Sequence, residues 1–194
     1  MRKWEVIMVS LSQPVAIITG AGRGIGRATA VLLSSLGYAC VLCARSIEEL
    51  NVTAALCSSA TRTIVCDVTQ PQQIAGVVEQ TLAAFERIDL LVNNAGIAPL
   101  VPFDQIDDDA LAATIDVNLT GTLRFSRAVW NVMKRQGEGV IVNVSSESAR
   151  DPFPGFAVYG AAKAGVNLLT RALAKEGQAA GIRVYAVAPS GVET

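Results

Sequence analysis

Short apolar runs alternate along this chain with longer segments of mixed polarity. The runs are rich in valine and isoleucine and nearly continuous in hydrophobicity, which is typical of strands that are covered on both faces of a sheet. The longer segments have the apolar spacing of helices. Regular alternation of the two predicts an α/β fold with a doubly wound parallel sheet. The predicted strands span residues 15–19, 39–43, 62–66, 90–92, 140–144 and 184–187, and the predicted helices span residues 24–36, 46–58, 71–85, 108–135 and 157–180.

This alternation runs from residue 14 to residue 194 without a linker, a repeat or a low-complexity tract, so we expect one domain over residues 14–194. Residues 1–13 resemble a signal peptide faintly, because Arg2 and Lys3 precede a short apolar run. Glu5 interrupts the stretch and no cleavage site is clear, which favours an N-terminal extension before the first strand. No segment is long and apolar enough to span a bilayer. A cytoplasmic location is expected, with an organelle as the open alternative.

Composition and charge narrow the classes of function. Of the 194 residues, 51% are hydrophobic and 17% are charged, and the formal net charge is −1. This apolar content suffices for a sizeable core, whereas near-zero charge gives no electrostatic footprint for nucleic acid or an anionic membrane. The chain has no histidine, which excludes Ser-His-Asp hydrolysis and histidine-ligated metal sites. Any acid–base chemistry must therefore come from Asp, Glu, Lys, Tyr or Cys.

Cys40 and Cys43 form a C-x-x-C pattern, which in other settings marks metal or redox chemistry. Both lie in a run that is predicted to be a buried strand, where residues three apart face opposite sides of the sheet. They cannot then share a metal ion or a disulfide. We expect reduced cysteines in the core, and no metal site.

A glycine-rich turn follows the first predicted strand and enters the first predicted helix. Residues 19–26 read TGAGRGIG. Glycines let a backbone turn sharply and approach a pyrophosphate, and the helix N-terminus then offers free N–H groups. The glycines stand at Gly20, Gly22, Gly24 and Gly26, and Ile25 stands where the strict G-x-G-x-x-G pattern has a glycine.

The end of the second strand indicates which dinucleotide is preferred. NAD sites commonly place an acidic residue there for the ribose hydroxyls, whereas an arginine accommodates the 2′-phosphate of NADP. This strand ends in Ala44 and is followed by Arg45, with no carboxylate at its end, and Arg23 in the glycine turn is a second cation nearby. The two arginines together favour NADP(H).

Tyr159 stands four residues before Lys163, so both side chains lie on one face of a helix. A nearby ammonium favours the phenolate form of a tyrosine. In a chain without histidine, the pair is a candidate for proton transfer. Taken alone, the spacing also fits an ordinary amphipathic surface pair.

Five ordered motifs together resemble the short-chain dehydrogenase/reductase family, over residues 14–194. Family membership implies a Rossmann-type sheet that binds a nicotinamide dinucleotide. The motifs are the TGAGRGIG turn of residues 19–26, the NNAG segment of residues 93–96, Asn118, Ser146, and the Tyr159-x-x-x-Lys163 pair.

The resemblance implies a role for each candidate catalytic residue. Tyr159 is the acid in carbonyl reduction and the base in alcohol oxidation. Lys163 favours the phenolate of Tyr159 and binds the nicotinamide ribose. Ser146 lies thirteen residues before Tyr159, the usual family separation, and polarises the substrate carbonyl, with Ser145 as the adjacent alternative. Asn118 holds a water in the proton relay to Lys163.

The resemblance also implies the cofactor contacts. Asp67 and Val68 contact the adenine ring, and the NNAG segment passes beside the adenosine ribose. The full set of expected cofactor-binding residues is Gly20, Gly22, Arg23, Gly24, Ile25, Gly26, Arg45, Asp67, Val68, Asn93, Ala95, Gly96, Tyr159, Lys163, Val192 and Thr194.

Two features depart from the family pattern. Ser190 occupies the glycine position of the Pro-Gly pair that usually follows the sixth strand and runs past the nicotinamide carboxamide. The sequence stops at Thr194, whereas family members continue through a substrate-covering segment, another helix and a last strand. We therefore expect that last helix and strand to be missing and the sixth strand to be an exposed edge, in a fragment of a longer protein or a shortened form.

These implications define the expected function. It is an NADP(H)-dependent oxidoreductase that interconverts a carbonyl and a secondary alcohol, most similar in its active helix to 3-oxoacyl-[acyl-carrier-protein] reductases and carbonyl reductases. The alternative is a nucleotide-binding protein without catalysis. The expected partners are a small carbonyl or alcohol substrate and a second copy of the chain, paired through the helices at 108–135 and 157–180. The family's tetramer interface uses the segment beyond residue 194, so a dimer without a tetramer is expected.

Overall fold

Six parallel strands form one sheet in the computed structural model, which describes residues 13–191. The strand order is β3-β2-β1-β4-β5-β6, so the chain reverses its direction across the sheet between β1 and β4. The strands are β1 Val15–Thr19, β2 Ala39–Ala44, β3 Thr61–Val65, β4 Leu90–Asn93, β5 Gly139–Val144 and β6 Ile182–Val187. The doubly wound, Rossmann-type sheet predicted from the sequence is confirmed.

The helices cover both faces of this sheet. They are α1 Gly24–Ser35, α2 Ile47–Leu56, α3 Pro71–Phe85, α4 Asp108–Ile115, α5 Gly121–Gln136 and α6 Ala157–Gly177. Their ends follow local chemistry: Ser46 and Asp107 cap α2 and α4 through their side chains, and Gly137, at φ 75°, terminates α5. Each predicted strand and helix is present, with ends that differ by at most three residues.

The core consists of two layers, one on each face of the sheet. In β1, Val15 and Ile17 pack towards α3 and α5, whereas Ala16 and Ile18 pack towards α1 and α2. Such two-sided burial requires continuous hydrophobic strands. Cys40 and Cys43 belong to different layers and are free thiols, so the C-x-x-C pattern arises from strand residues on opposite faces.

The predicted helix over residues 108–135 contains a wide turn. Asp116–Thr120 form a π-helical turn between α4 and α5, closed by a hydrogen bond from the N–H of Gly121 to the carbonyl of Asp116. Single π-turns inside α-helices occur frequently at functional sites. This turn carries Asn118, one of the predicted site residues.

The described sheet has β3 and β6 as its two edges. On β6, Tyr185 and Val187 are about half exposed (52% and 47%), which agrees with the expected exposed sixth strand. Between residues 13 and 191, none of the helices combines the length and the apolar character needed to cross a membrane.

Candidate active site

Two adjoining clefts lie at the carboxyl ends of the strands, where β1 and β4 separate the two halves of the sheet. Ligands of open α/β sheets bind at this switch point. The long cleft has a volume of about 600 Å³ and extends from the end of β2 to Ile97. The short cleft has a volume of about 320 Å³ and extends from Asn94 to Tyr159. The two share Ile25, Asn94, Gly96 and Ile97, so a long ligand can occupy both.

The glycine turn forms the floor of the long cleft. Gly20 and Gly24 have φ values of 63° and 52°, in the left-handed region that favours glycine. A Cβ at Gly26 would lie 2.1 Å from the carbonyl oxygen of Gly20, so only glycine fits where α1 begins. The first N–H groups of α1 have no partner within the helix. The turn is therefore suited to phosphate binding.

Asn94 holds the first half of this turn from the side of β4. Its Nδ2 donates to the carbonyl oxygens of Thr19 (2.9 Å) and Gly20 (3.1 Å). The hydroxyl of Thr19 accepts in return from the backbone N–H groups of Asn94 (2.9 Å) and Ala95 (3.0 Å). These bonds join the end of β1 to the end of β4 beside the cleft.

Thr53 and Arg27 hold the second half of the turn. The hydroxyl of Thr53, fully buried on α2, donates to the carbonyl of Ala21 (2.9 Å). It accepts from Nε of Arg27 (3.1 Å), whose guanidinium also donates to the carbonyl of Gly22. The carbonyls of residues 19–22 thus all accept hydrogen bonds from side chains outside the turn, on α1, on α2 and after β4.

Charged residues line the outer end of the long cleft. Arg23 and Arg45 are both exposed there, together with Ser46 and Glu49. Within residues 13–191 neither arginine takes part in an ion pair. Asp67 and Val68, which the resemblance predicts to contact the adenine ring, also line this cleft.

Ser146, Tyr159 and Lys163 line the short cleft together. The Oγ of Ser146 accepts from the N–H of Ser148 (3.1 Å), which leaves its own hydrogen free to donate into the cleft. Tyr159 is half-buried in the first turn of α6, with its ring centroid 5.5 Å from that of Phe156. The Nζ of Lys163 lies 5.7 Å from the centre of the Tyr159 ring.

The Lys163 side chain is buried, with 3% of its surface exposed. Its Nζ donates to the carbonyl of Val144 at 2.7 Å. Burial disfavours the charged form and lowers the pKa of Lys163 from 10.5 to about 8. At pH 7 the amine is therefore still largely protonated.

Asn118 lies beneath the short cleft and is fully buried. Its Nδ2 donates to the carbonyls of Ile97 (2.7 Å) and Thr114 (2.9 Å), whereas its Oδ1 has no hydrogen-bond partner among the described residues. A Cβ at Gly96 would lie 2.8 Å from this Oδ1 and 3.6 Å from Nζ of Lys163. Asn118 and Lys163 therefore approach the same glycine, and the free acceptor is next to it.

The geometry distinguishes the two adjacent serines. Ser145 is buried and its hydroxyl donates to the carbonyl of Lys163 at 3.3 Å. Ser146 is less buried and has its hydroxyl hydrogen available. This arrangement favours Ser146 as the residue that meets a ligand.

Asn93 lies in the interior and lines neither cleft. Its Nδ2 donates to Ser126 (3.1 Å) on α5 and to Asn143 (2.9 Å) on β5. The Nδ2 of Asn143 in turn donates to Thr170 (2.9 Å) on α6. This buried polar chain ties β4 and β5 to α5, which follows the turn that carries Asn118, and to α6, which carries Lys163.

Several cleft residues were not among those predicted from the sequence. They include Ile97, Ser46 and Glu49, which line the clefts, and Thr53 and Arg27, which hold the turn. Thr53 is more than thirty residues from the carbonyls of the turn that it contacts, and no spacing rule links such distant positions. Val192 and Thr194, predicted to contact the cofactor, lie outside the described residues.

Comparison with known proteins gives consistent matches over almost the whole chain. The family model described as short chain dehydrogenase matches residues 14–194. The chain is 41% identical over 190 residues to the short-chain reductase protein NovJ of Streptomyces niveus, covering 96% of this chain and 72% of that protein. It is 37% identical over 191 residues to a 3-oxoacyl-[acyl-carrier-protein] reductase of Synechocystis, covering 96% of this chain and 77% of that protein.

Two solved structures bear on the ligand. A metagenomic short-chain oxidoreductase in complex with NADP has a TM-score of 0.87 and 37% identity, covering 92% of this chain and 83% of its own. An NAD⁺-bound xylitol dehydrogenase has a TM-score of 0.89 and 33% identity, covering 93% of this chain and 72% of its own. Nicotinamide dinucleotides of both kinds therefore occur in proteins with this fold.

Proposed function

Because the chain belongs to the short-chain dehydrogenase/reductase family, we propose that it is an NADP(H)-dependent oxidoreductase that interconverts a carbonyl and a secondary alcohol. The observation that carries the proposal is the short cleft, where Tyr159, Ser146 and Lys163 meet at the end of the long cleft. When bound, the nicotinamide supplies the hydride to the carbonyl carbon, or accepts it in the reverse direction.

The clefts fit a dinucleotide at both ends. The glycine turn and the N-terminus of α1 offer backbone N–H groups to a pyrophosphate, and the turn is already fixed by side chains behind it. Gly96, whose missing side chain leaves room beside Lys163, lies where the two clefts join. Lys163 would hold the nicotinamide ribose, and Asp67 and Val68 would border the adenine.

Tyr159 and Ser146 would handle the substrate oxygen. During reduction this oxygen gains negative charge as the hydride arrives at carbon, and it needs a proton. The hydroxyl of Tyr159 donates that proton, and the hydroxyl of Ser146, whose lone pair is already engaged by Ser148, donates a hydrogen bond to the same oxygen. In oxidation, Tyr159 takes the proton from the alcohol.

Lys163 and Asn118 would support Tyr159. The ammonium of Lys163, 5.7 Å from the Tyr159 ring, stabilises the phenolate that remains after proton donation. The unpartnered Oδ1 of Asn118 is placed to accept a hydrogen bond from a water that links it to Lys163. Such a water would return a proton to Tyr159 from solvent.

The preference for NADP(H) rests on the outer end of the long cleft. Arg45 and Arg23 are exposed there without ion-pair partners in the described range, and no acidic residue ends β2. Charge-assisted hydrogen bonds of this kind contribute roughly 1.5–3 kcal/mol. The NADP-bound relative supports the assignment, and the NAD⁺-bound relative shows that the fold alone does not impose it.

A small carbonyl compound is the proposed substrate. Two relatives carry reductase in their names, which supports reduction, and one of them is a 3-oxoacyl-[acyl-carrier-protein] reductase. A 3-oxoacyl thioester is therefore the first substrate to assay.

A homodimer through α5 and α6 is part of the proposal. The small and apolar positions of α6 that face away from the sheet are exposed or half-buried: Ala161, Ala164, Gly165, Leu168 and Leu169. Beside them, a groove of about 680 Å³ is lined by Leu123, Trp130 and Leu173. An exposed apolar face of this kind is typical of a protein–protein contact.

Oxidation of NADPH by a 3-oxoacyl thioester, followed in wild-type protein and in Tyr159→Phe, tests the proposal. The substitution keeps the ring and removes only the hydroxyl, so it should lower the rate on the order of 10²–10⁴-fold and leave the NADPH dissociation constant unchanged. Full activity of Tyr159→Phe would refute the mechanism. Tight NADPH binding by a wild-type chain that turns over no carbonyl substrate would instead support the nucleotide-binding alternative.

A further inference from the structure

Glu49 places a carboxylate against the glycine turn, in the wall of the long cleft. It lies in the first turn of α2, where its N–H donates to the capping hydroxyl of Ser46 (3.2 Å). A Cβ at Gly22 would lie 2.7 Å from Oε2 of Glu49 and 2.8 Å from its Cβ. The Glu49 side chain therefore covers the α-carbon of Gly22, which explains why this position of the turn is glycine.

Arg23 and Arg45 line the long cleft together with Glu49. The three side chains line the same outer end of the cleft, yet within residues 13–191 Glu49 forms no ion pair with either arginine. Its negative charge is thus not neutralised by direct contact. A ligand that enters this end of the cleft meets two cations and the carboxylate of Glu49, and Asp67 also lines the cleft.

The two nicotinamide dinucleotides respond differently to that anion. The 2′-phosphate of NADPH carries about two negative charges near neutral pH, so a carboxylate in the wall repels it. The 2′-hydroxyl of NADH carries no charge, and it can donate a hydrogen bond to a carboxylate. A single charge in this position therefore acts on the ratio of the two affinities.

We propose that Glu49 is a specificity-determining residue that opposes Arg23 and Arg45 and limits the preference for NADPH over NADH. The inference rests on the proposed function, because it places the adenosine end of a nicotinamide dinucleotide in the long cleft. Glu49 supplies, from the first turn of α2, the acidic group that the end of β2 lacks.

Glu49→Gln tests the proposal, because this substitution should increase the affinity for NADPH. Removal of the charge should lower the NADPH dissociation constant roughly threefold to tenfold and leave NADH binding unchanged or weaker. Both constants are measured by calorimetry at low and at high salt. The gain should shrink at high salt, because screening weakens the interaction between exposed charges.

Glu48→Gln is the matched control. Glu48 is the preceding residue on the same turn of α2, but its Oε2 accepts from Ser46 Oγ (2.8 Å) and it does not line the cleft. Its substitution removes the same charge from the same helix, so the ratio of affinities should stay at the wild-type value. Arg45→Asp should move the ratio towards NADH.

The outcomes separate this inference from the proposed function. An unchanged ratio in Glu49→Gln, or an equal shift in Glu48→Gln, would overturn the role of Glu49. A wild-type chain that prefers NADH would refute the proposed NADPH preference, yet a shift towards NADPH in Glu49→Gln would still uphold this inference. A wild-type chain that binds neither nucleotide overturns both. Misfolding cannot imitate the expected result, because damaged protein does not bind more tightly.

Discussion

At the scale of single residues, burial of Lys163 determines both its charge and its position. The amine is taken out of water and rests on the carbonyl of Val144, directly before the two serines at the end of β5. Its pKa of about 8 keeps it protonated at neutral pH but close to losing its charge. Above pH 8 the ligand-free site therefore loses the ammonium that borders Tyr159.

The pH dependence of folding stability should reveal this shift. Between pH 8 and pH 10.5 the unfolded chain holds a proton that folded Lys163 has released, so the free energy of unfolding rises with pH in that window. Over the whole window, Lys163 raises the free energy of unfolding by about 3 kcal/mol. Lys163→Met lacks it, so the stability difference between the parent and Lys163→Met should rise with pH above 8 and stay flat below.

Urea unfolding at pH 7, 8, 9 and 10 checks this expectation. Both proteins carry Tyr159→Phe as well, so that titration of the neighbouring phenol does not contribute. A stability difference that is constant from pH 7 to pH 10 would show that Lys163 is not held in a poorly solvated site.

At the scale of elements, the glycine turn depends on its neighbours for its shape. Asn94 from the end of β4 and Thr53 from α2 hold carbonyls of the turn, and Arg27 of α1 bonds to Thr53 and to the turn itself. The turn is thus fixed before a ligand arrives. Fixing it in advance lowers the entropy cost of binding.

Thr53→Val should weaken the binding of NADPH and NADH alike, because the turn that Thr53 holds is proposed to bind the pyrophosphate that both contain. Valine keeps the shape but leaves the carbonyl of Ala21 and Nε of Arg27 without their partner, at a cost of about 1–3 kcal/mol in stability. The dissociation constants for NADPH and NADH should rise by the same factor, because both contain the pyrophosphate. Thr53→Ser restores the hydroxyl and should restore both constants. Unchanged binding by a less stable Thr53→Val would mean that Thr53 serves folding alone.

The strands, the helices and the Tyr159–Lys163 pair follow from local patterns, Ser146 follows only from the family resemblance, and the supporting residues follow from neither. Val15–Thr19 and Pro71–Phe85 have the predicted bounds because continuous hydrophobicity and a proline at the helix start are local signals. Thr53 is a helical residue of ordinary propensity, and only the tertiary fold brings it to Ala21. The π-helical turn at Asp116–Thr120 was not predicted, because the spacing rule applied to residues 108–135 assumes one helix of constant period.

At the scale of the whole molecule, the outer face of α5 and α6 has exposed apolar side chains among its polar ones. Leu168 on α6 is 61% exposed and Leu123 on α5 is 43% exposed, next to the groove that Trp130 lines. The opposite side of the sheet is covered by α1 and α2. A second copy that pairs through a twofold axis would bury the α5–α6 face on both chains.

Light scattering on the wild-type protein at micromolar concentration should give a mass twice that of a single chain. Leu168→Arg places a charge in the proposed contact and should give the monomer mass. Leu32→Arg is the matched control, because Leu32 on α1 is equally exposed at 59% but lies on the other side of the sheet, and it should leave the mass unchanged. A monomeric wild type, or dissociation by both variants alike, would contradict the dimer.

The π-helical turn at Asp116–Thr120 carries Asn118 and lies between two regular helices, α4 and α5. A π-turn absorbs one additional residue and leaves the helices on either side facing the directions they would have without it. Deletion of one residue of the turn should therefore give a regular helix and remove the wide turn that carries Asn118, while Phe125 and Val129 stay in the core. The shortened helix would be more regular than the present one, and the hydrophobic core would be unchanged. The turn that carries Asn118 would thus be an insertion on which the packing of the two helices does not depend.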